Sequence, residues 1–219
     1  MSQSSPEEGR KRVRFANVRA PKPVLGRETM ERLTPRQLQI FEELEQLVQN
    51  EKITDLTMSQ IASKLGCSLR TLYGISPSKD ELVLAAADRN LRRVGKAAID
   101  ALDPSMPPLA MLRAYLRAAN NADEPTQTIY ARELASIPAS KRMIDVHEDY
   151  VMAVTKSMLD RAVELGDIPA VDTASVAHVL GGLLREFGRS DVREVIEHSP
   201  KKAANEVTEI ILRGLTQKK

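Results

Sequence analysis

The chain has 219 residues, a formal net charge of +2, and 42% hydrophobic and 28% charged residues, the balance of an ordinary globular protein long enough to bury a core. So slight a charge does not by itself announce a polyanion binder. Three Phe, four Tyr and no Trp are too few rings for a surface that stacks single-stranded bases. One cysteine excludes an intrachain disulfide and fits a reducing cytoplasm. The polar start has no apolar core, and every apolar run is short, which argues against a signal peptide and a membrane span. The expectation is a cytoplasmic protein.

Residues 1–33 carry eight Lys/Arg against four Glu, with prolines, many polar residues and no helical periodicity. They read as a disordered basic arm. Between Arg10 and Arg27 there are seven cations and no acid, which suits phosphate or minor-groove contacts; the plainer alternative is a solvated tail.

Thr34-Pro35-Arg36-Gln37 is a helix start, with Thr as N-cap, Pro at the first helical position and Gln three residues after the cap. Leu38, Phe41, Leu44 and Leu47/Val48 continue it at three-to-four spacing. Thr57 with Gln60 forms a second capping box, and Ile61, Ala62 and Leu65 make an apolar face that stops at Gly66. Ser68 caps a third helix with Leu72 and Ile75 on its buried side. Small Ala62, the Gly66 turn and apolar Cys67, Leu72 and Ile75 are a helix-turn-helix pattern. Its second helix offers Ser68, Leu69, Arg70, Thr71, Tyr73 and Gly74 to a major groove. Arg70 suits bidentate contact with guanine O6 and N7. Thr57 can donate to a phosphate, and Thr71 can meet a phosphate or a thymine methyl. Taken singly, each has an ordinary reading as a solvated or partly buried residue. Cys67 reads as an inert thiol in the turn.

Ser78 to Glu81 begins a further helix through Leu82, Leu84–Ala87, Leu91 and Val94. After prolines 104, 107 and 108, Leu109, Leu112, Leu116 and Ala119 mark the next, followed by a short helix near Ile129–Ala135. Pro138 opens a long helix with Met143, Tyr150, Val151, Val154, Met158, Ala162 and Leu165 on one face, ended by Gly166–Pro169. Asp172 caps a helix with a wide stripe, Val176, Val179, Leu180, Leu183, Leu184 and Phe187. The last uses Ala204, Val207, Ile210, Ile211 and Leu215. No strand alternation appears, so the predicted class is all-α: an arm (1–33), a helix-turn-helix domain (34–80) and a helical domain (81–219). His147, His178 and His198 have no metal-ligand spacing, and neither a phosphate loop nor a nucleophile elbow is present. The reading is of a protein that is not an enzyme and needs no cofactor or metal.

The run Ser68-Leu69-Arg70-Thr71-Leu72-Tyr73, followed by Pro77-Ser78-Lys79-Asp80-Glu81-Leu82, resembles the N-terminal domain of the tetracycline-repressor (TetR) family. The resemblance covers residues 34–90 in detail. This chain has Ser76 where the family usually has Phe, and Asn50-Glu51-Lys52 where it usually has Gly. The resemblance implies that Tyr73 and Lys79 meet phosphates, and that the helix from Ser78 links head to body. It also implies that the two C-terminal helices form a four-helix dimer interface, with Gly181-Gly182 at the crossing, and that the middle helices enclose an effector pocket. Candidate lining residues are Met111, Tyr115, Tyr130, Met143, His147, Tyr150 and Phe187, all of which also read as plain core or surface. The resulting expectation is a homodimeric regulator of double-stranded DNA, a repressor released from a palindromic operator by a small molecule of unknown identity. A ligand-independent DNA-binding dimer and a helical protein-interaction module remain open at this stage.

Overall fold

A computed structural model describes Val13, Phe15, residues 18–51, Ile53, residues 55–120 and residues 134–216. Among the described residues the regular structure is entirely helical, with no strand. Helix α1 is Arg27–Arg32, α2 Pro35–Asn50, α3 Met58–Lys64, α4 Leu69–Tyr73 and α5 Lys79–Asp100. Then follow α6 Pro108–Asn120, α7 Ser140–Glu164, α8 Thr173–Gly188, α9 Ser190–Arg193 and α10 Pro200–Thr216.

The starts follow local chemistry. Thr34 and Thr57 both close reciprocal capping boxes, with Gln37 and Gln60. Ser78 Oγ accepts from the Glu81 N–H, and Asp172 accepts from the N–H groups of Ala174 and Ser175. Short α1 and α9 were not expected from the sequence, since neither buries a residue of its own and neither shows an apolar period.

Two apolar clusters result. Phe41, Leu44, Ile61, Leu72 and Leu82 lie in the head cluster; Leu112, Tyr115, Val154, Leu159, Leu180 and Leu212 lie in the body cluster. Full burial of each such side chain contributes about 1.5–3 kcal/mol. Helix α5 belongs to both, with Leu82–Ala87 in the head cluster and Ala98 in the body cluster. So does α7: Met143 and Ile144 pack with the head, while Val154, Met158, Leu159 and Ala162 are body core. Head and body are therefore joined by two helices that each run through both cores.

The arm is corrected in part. Residues 1–12, 14, 16 and 17 lie outside the described residues, but from Val18 onward the segment is packed, not disordered. Leu25 and Leu33 are buried in the head cluster, and Val13, Phe15 and Val18 pack against the body cluster. The partners that order it are on α5 and in the two cores, far away in sequence, so no local periodicity marks it. Among the described residues, no helix is long and apolar enough to cross a membrane, and no cluster of three or more His, Cys, Asp or Glu is arranged to hold a metal ion.

Candidate nucleic-acid interface

The turn between α3 and α4 is built by backbone bonds. The Cys67 N–H donates to Ala62 O at 2.9 Å and the Gly66 N–H to Ser63 O at 3.2 Å, a Schellman closure. It places Gly66 at φ 58°, where a β-carbon is disfavoured. Ser68 then caps α4, its Oγ accepting from the Thr71 N–H at 3.1 Å and lying 2.7 Å from Thr71 Oγ1. Leu72 and Ile75 are fully or nearly fully buried, which turns the opposite side of α4 outward. Ser68, Leu69, Arg70, Tyr73 and Gly74 are exposed, and Thr71 is half-buried. Leu69 at 41% and Tyr73 at 50% are unusually open for such large side chains, and both stand on the same short helix as Arg70.

Two of the expected contacts already have work inside the head. Thr57 Oγ1 accepts from the Gln60 N–H at 3.2 Å and donates to Gln60 Oε1 at 3.0 Å, so its hydroxyl proton is committed to its own cap. Lys79 Nζ donates to the Leu56 carbonyl at 3.0 Å, tying the first turn of α5 to the loop that leads into α3.

Ser76 is buried, and its Oγ reaches Ser78 O at 3.4 Å. Phe41 is buried too, and Arg89 of α5 lies over its ring at 5.4 Å while also meeting Glu42 and Glu45 of α2. Burial pushes the Cys67 thiol up from its ordinary value, against the pull of nearby Arg36. Arg36 itself is exposed in the first turn of α2.

The seven candidate pocket residues do not form one group. Tyr115 is wholly buried in the body cluster, with Met111 and Tyr150 packed partly against it. Burial, and secondarily Tyr150, push the Tyr115 hydroxyl above its ordinary value. Met143 lies in the head cluster instead, because α7 begins there. His147 Nε2 is 2.8 Å from Asp88 Oδ1 at the head–body junction. Phe187 is half-buried near the end of α8, and Tyr130 lies outside the described residues. An open groove of about 770 Å³ lies between α6 and α10, lined by Arg117, Lys202, Asn205, Glu209 and Arg213 among others, and contains none of the seven. Its Glu209 pairs with Arg117 of the same groove and with Arg113 of α6. Inside the body, the buried Tyr115 hydroxyl and Thr155 Oγ1 have no hydrogen-bond partner among the described residues.

No protein-family model and no curated protein sequence matches the chain. Solved structures do. A TetR transcription regulator from Haloarcula marismortui superposes with a TM-score of 0.71 at 19% identity, over 84% of this chain and 100% of that one. The TetR-family regulator PfmR from Thermus thermophilus gives 0.53 at 24%, over 81% and 99%. A TetR-family regulator from Agrobacterium tumefaciens gives 0.63 at 16%, over 83% and 98%. At these identities the likeness establishes the fold, an N-terminal helix-turn-helix head on a C-terminal helical body, as in TetR-family regulators.

Proposed function

We propose that this chain is a TetR-type transcriptional regulator, a cytoplasmic homodimer that binds a palindromic DNA operator and releases it when a small molecule enters the body. The observation that carries this reading is the outward face of α4, where Arg70, Leu69 and Tyr73 stand exposed between a Schellman turn and Gly74. A five-residue helix fixed by a cap at one end and buried Leu72 beneath presents few side chains, and one such helix reads only a few base pairs. Two copies related by a two-fold axis supply the rest. Arg70 reads a guanine; Tyr73, Lys79 and Ser68 hold phosphates; Leu69 and Thr71 meet base edges or sugar. Thr57 contributes only where its cap proton is redirected.

Dimerisation is supported by the neighbouring helices α8 and α10. Val179 is 50% exposed and Ile210 69% exposed, and a β-carbon on Gly182 would meet nothing within 4 Å. Gly181 acts differently from the expectation: its missing β-carbon makes room for Met152 of α7 in the same subunit. The effector reading is supported by two hydroxyls without a partner among the described residues, Tyr115 and Thr155, since a buried polar group left so costs about 1–3 kcal/mol that a bound polar ligand recovers. Nothing in this account calls for catalysis.

The test is selection from a random duplex library with the purified protein. Enrichment of a two-fold-symmetric site supports the reading. No enrichment, with weak and steeply salt-dependent binding, leaves a helical protein whose partner is not DNA.

A further inference from the structure

The N-terminal segment crosses the junction between head and body, and its contacts fall in order along α5. Leu25 is buried in the head core. The Val24 N–H donates to Asp88 Oδ2 at 3.1 Å. Arg92, one turn further along α5, donates to the Pro21 carbonyl. Val18, Phe15 and Val13 then pack against the body core. Asp88 and Arg92 are four residues apart, so they share one face of α5 and are separated by about 6 Å along its axis. Between Pro21 and Val24 the segment therefore runs antiparallel to α5 along that face.

Asp88 is the buried point of this arrangement, only 3% exposed. A carboxylate so far from water needs its lone pairs satisfied. It has two donors from two other segments: the Val24 N–H, and His147 Nε2 of α7 at 2.8 Å. Head, body and arm thus meet at one side chain. Neither the interface on α4 nor the effector reading makes use of it.

We propose that residues 18–25, together with Val13 and Phe15, are an intramolecular strap, anchored at Asp88, that restrains the joint between head and body. Helices α5 and α7 cross the place where the two apolar clusters part, and the strap bridges the same place from outside. Holding it stiffens the joint; releasing it loosens the joint without unfolding either core. The device does not depend on what the head binds.

The experiment uses the full chain as wild type, Arg92→Ala, and Phe15→Ser as a second release variant that leaves α5 intact. Two quantities are read: the rate of tryptic cutting after exposed Arg19, and hydrogen exchange across residues 86–94 and 141–150. In the wild type, cutting at Arg19 is slower than in a free peptide of residues 10–30. Each variant speeds it by about fivefold, the loss of one ordinary contact, and raises exchange at both junction segments while α3 and α4 keep their protection. Cutting of the wild type at the free-peptide rate overturns the strap. Faster cutting with unchanged junction exchange overturns the restraint. Operator affinity measured on the same proteins is a separate readout: failure of the wild type to bind any duplex removes the regulator reading and leaves the exchange result standing.

Discussion

Lys79 Nζ donates to the carbonyl oxygen of Leu56 at 3.0 Å, across 23 residues of chain. The bond joins the helix that carries the head to the loop that starts the helix-turn-helix, so one cation both holds the head together and stands beside its proposed phosphate face. Lys79→Ala is expected to lower affinity equally for every duplex and to reduce the salt slope by about one. It is also expected to cost about 1 kcal/mol of stability. Anisotropy titrations at several salt concentrations, with urea unfolding of the same protein, check both. An affinity loss confined to one sequence contradicts the phosphate role.

Gly66 has φ 58° and open space where a β-carbon would lie. The strain of a substitution there is purely backbone. Gly66→Ala is expected to destabilise by about 1–2 kcal/mol, and Gly66→Asn by less, since Asn tolerates the left-handed region. Urea midpoints that rank Asn below Ala contradict this.

At Gly181 a β-carbon would sit 2.8 Å from Met152 Cγ, whereas at Gly182 it would meet nothing within 4 Å. Gly181→Ala therefore forces the Met152 side chain to move and is expected to cost about 1 kcal/mol or more at any protein concentration. Gly182→Ala leaves the isolated subunit unharmed and weakens association only, if its face is the dimer interface. Sedimentation equilibrium together with thermal melts separates the two effects. A dimer unchanged in Gly182→Ala and Ile210→Glu alike contradicts the interface proposed on α8 and α10.

Glu45 is buried beside Arg89, whose Nε lies 3.1 Å from its carboxylate. Burial pushes its carboxyl above the ordinary value of 4.5, against the pull of Arg89 and Arg93. The native state then binds the proton more tightly than the unfolded chain, so this group's contribution to stability falls as pH rises through the window from 4.5 to the raised value. Glu45→Gln removes that dependence. The stability difference between wild type and variant, followed by denaturant unfolding from pH 4 upward, should decline with pH and then level; a difference that grows with pH has the wrong sign.

What was legible in the sequence was local. Thr57 with Gln60, Gly66 after Leu65, and Asp172 before Ala174 are each decided within five residues, and the structure has the caps and the turn that those residues demand. The outward face of α4 was legible for the same reason, since Leu72 and Ile75 fix which side is buried. The strap was not, because its anchors lie 64 and 71 residues away and polar segments without periodicity look alike whether packed or not. Lys79's carbonyl partner and the turn of Gly181 toward Met152 depend on how helices meet in space, which spacing along one helix does not encode. Met143 is a candidate pocket residue by the family resemblance, but α7 begins in the head cluster, which spacing along the helix does not show.

Whether α4 reads DNA sequence is decided by anisotropy titration of the selected operator and of a scrambled duplex with wild type and Arg70→Ala. The wild type is expected to prefer the operator by about 10³-fold or more. Arg70→Ala is expected to cost about 1–3 kcal/mol on the operator and to lose discrimination at one base pair in each half-site. Equal binding of both duplexes by the wild type, or an Arg70→Ala loss that is the same on every sequence, would contradict sequence reading by α4.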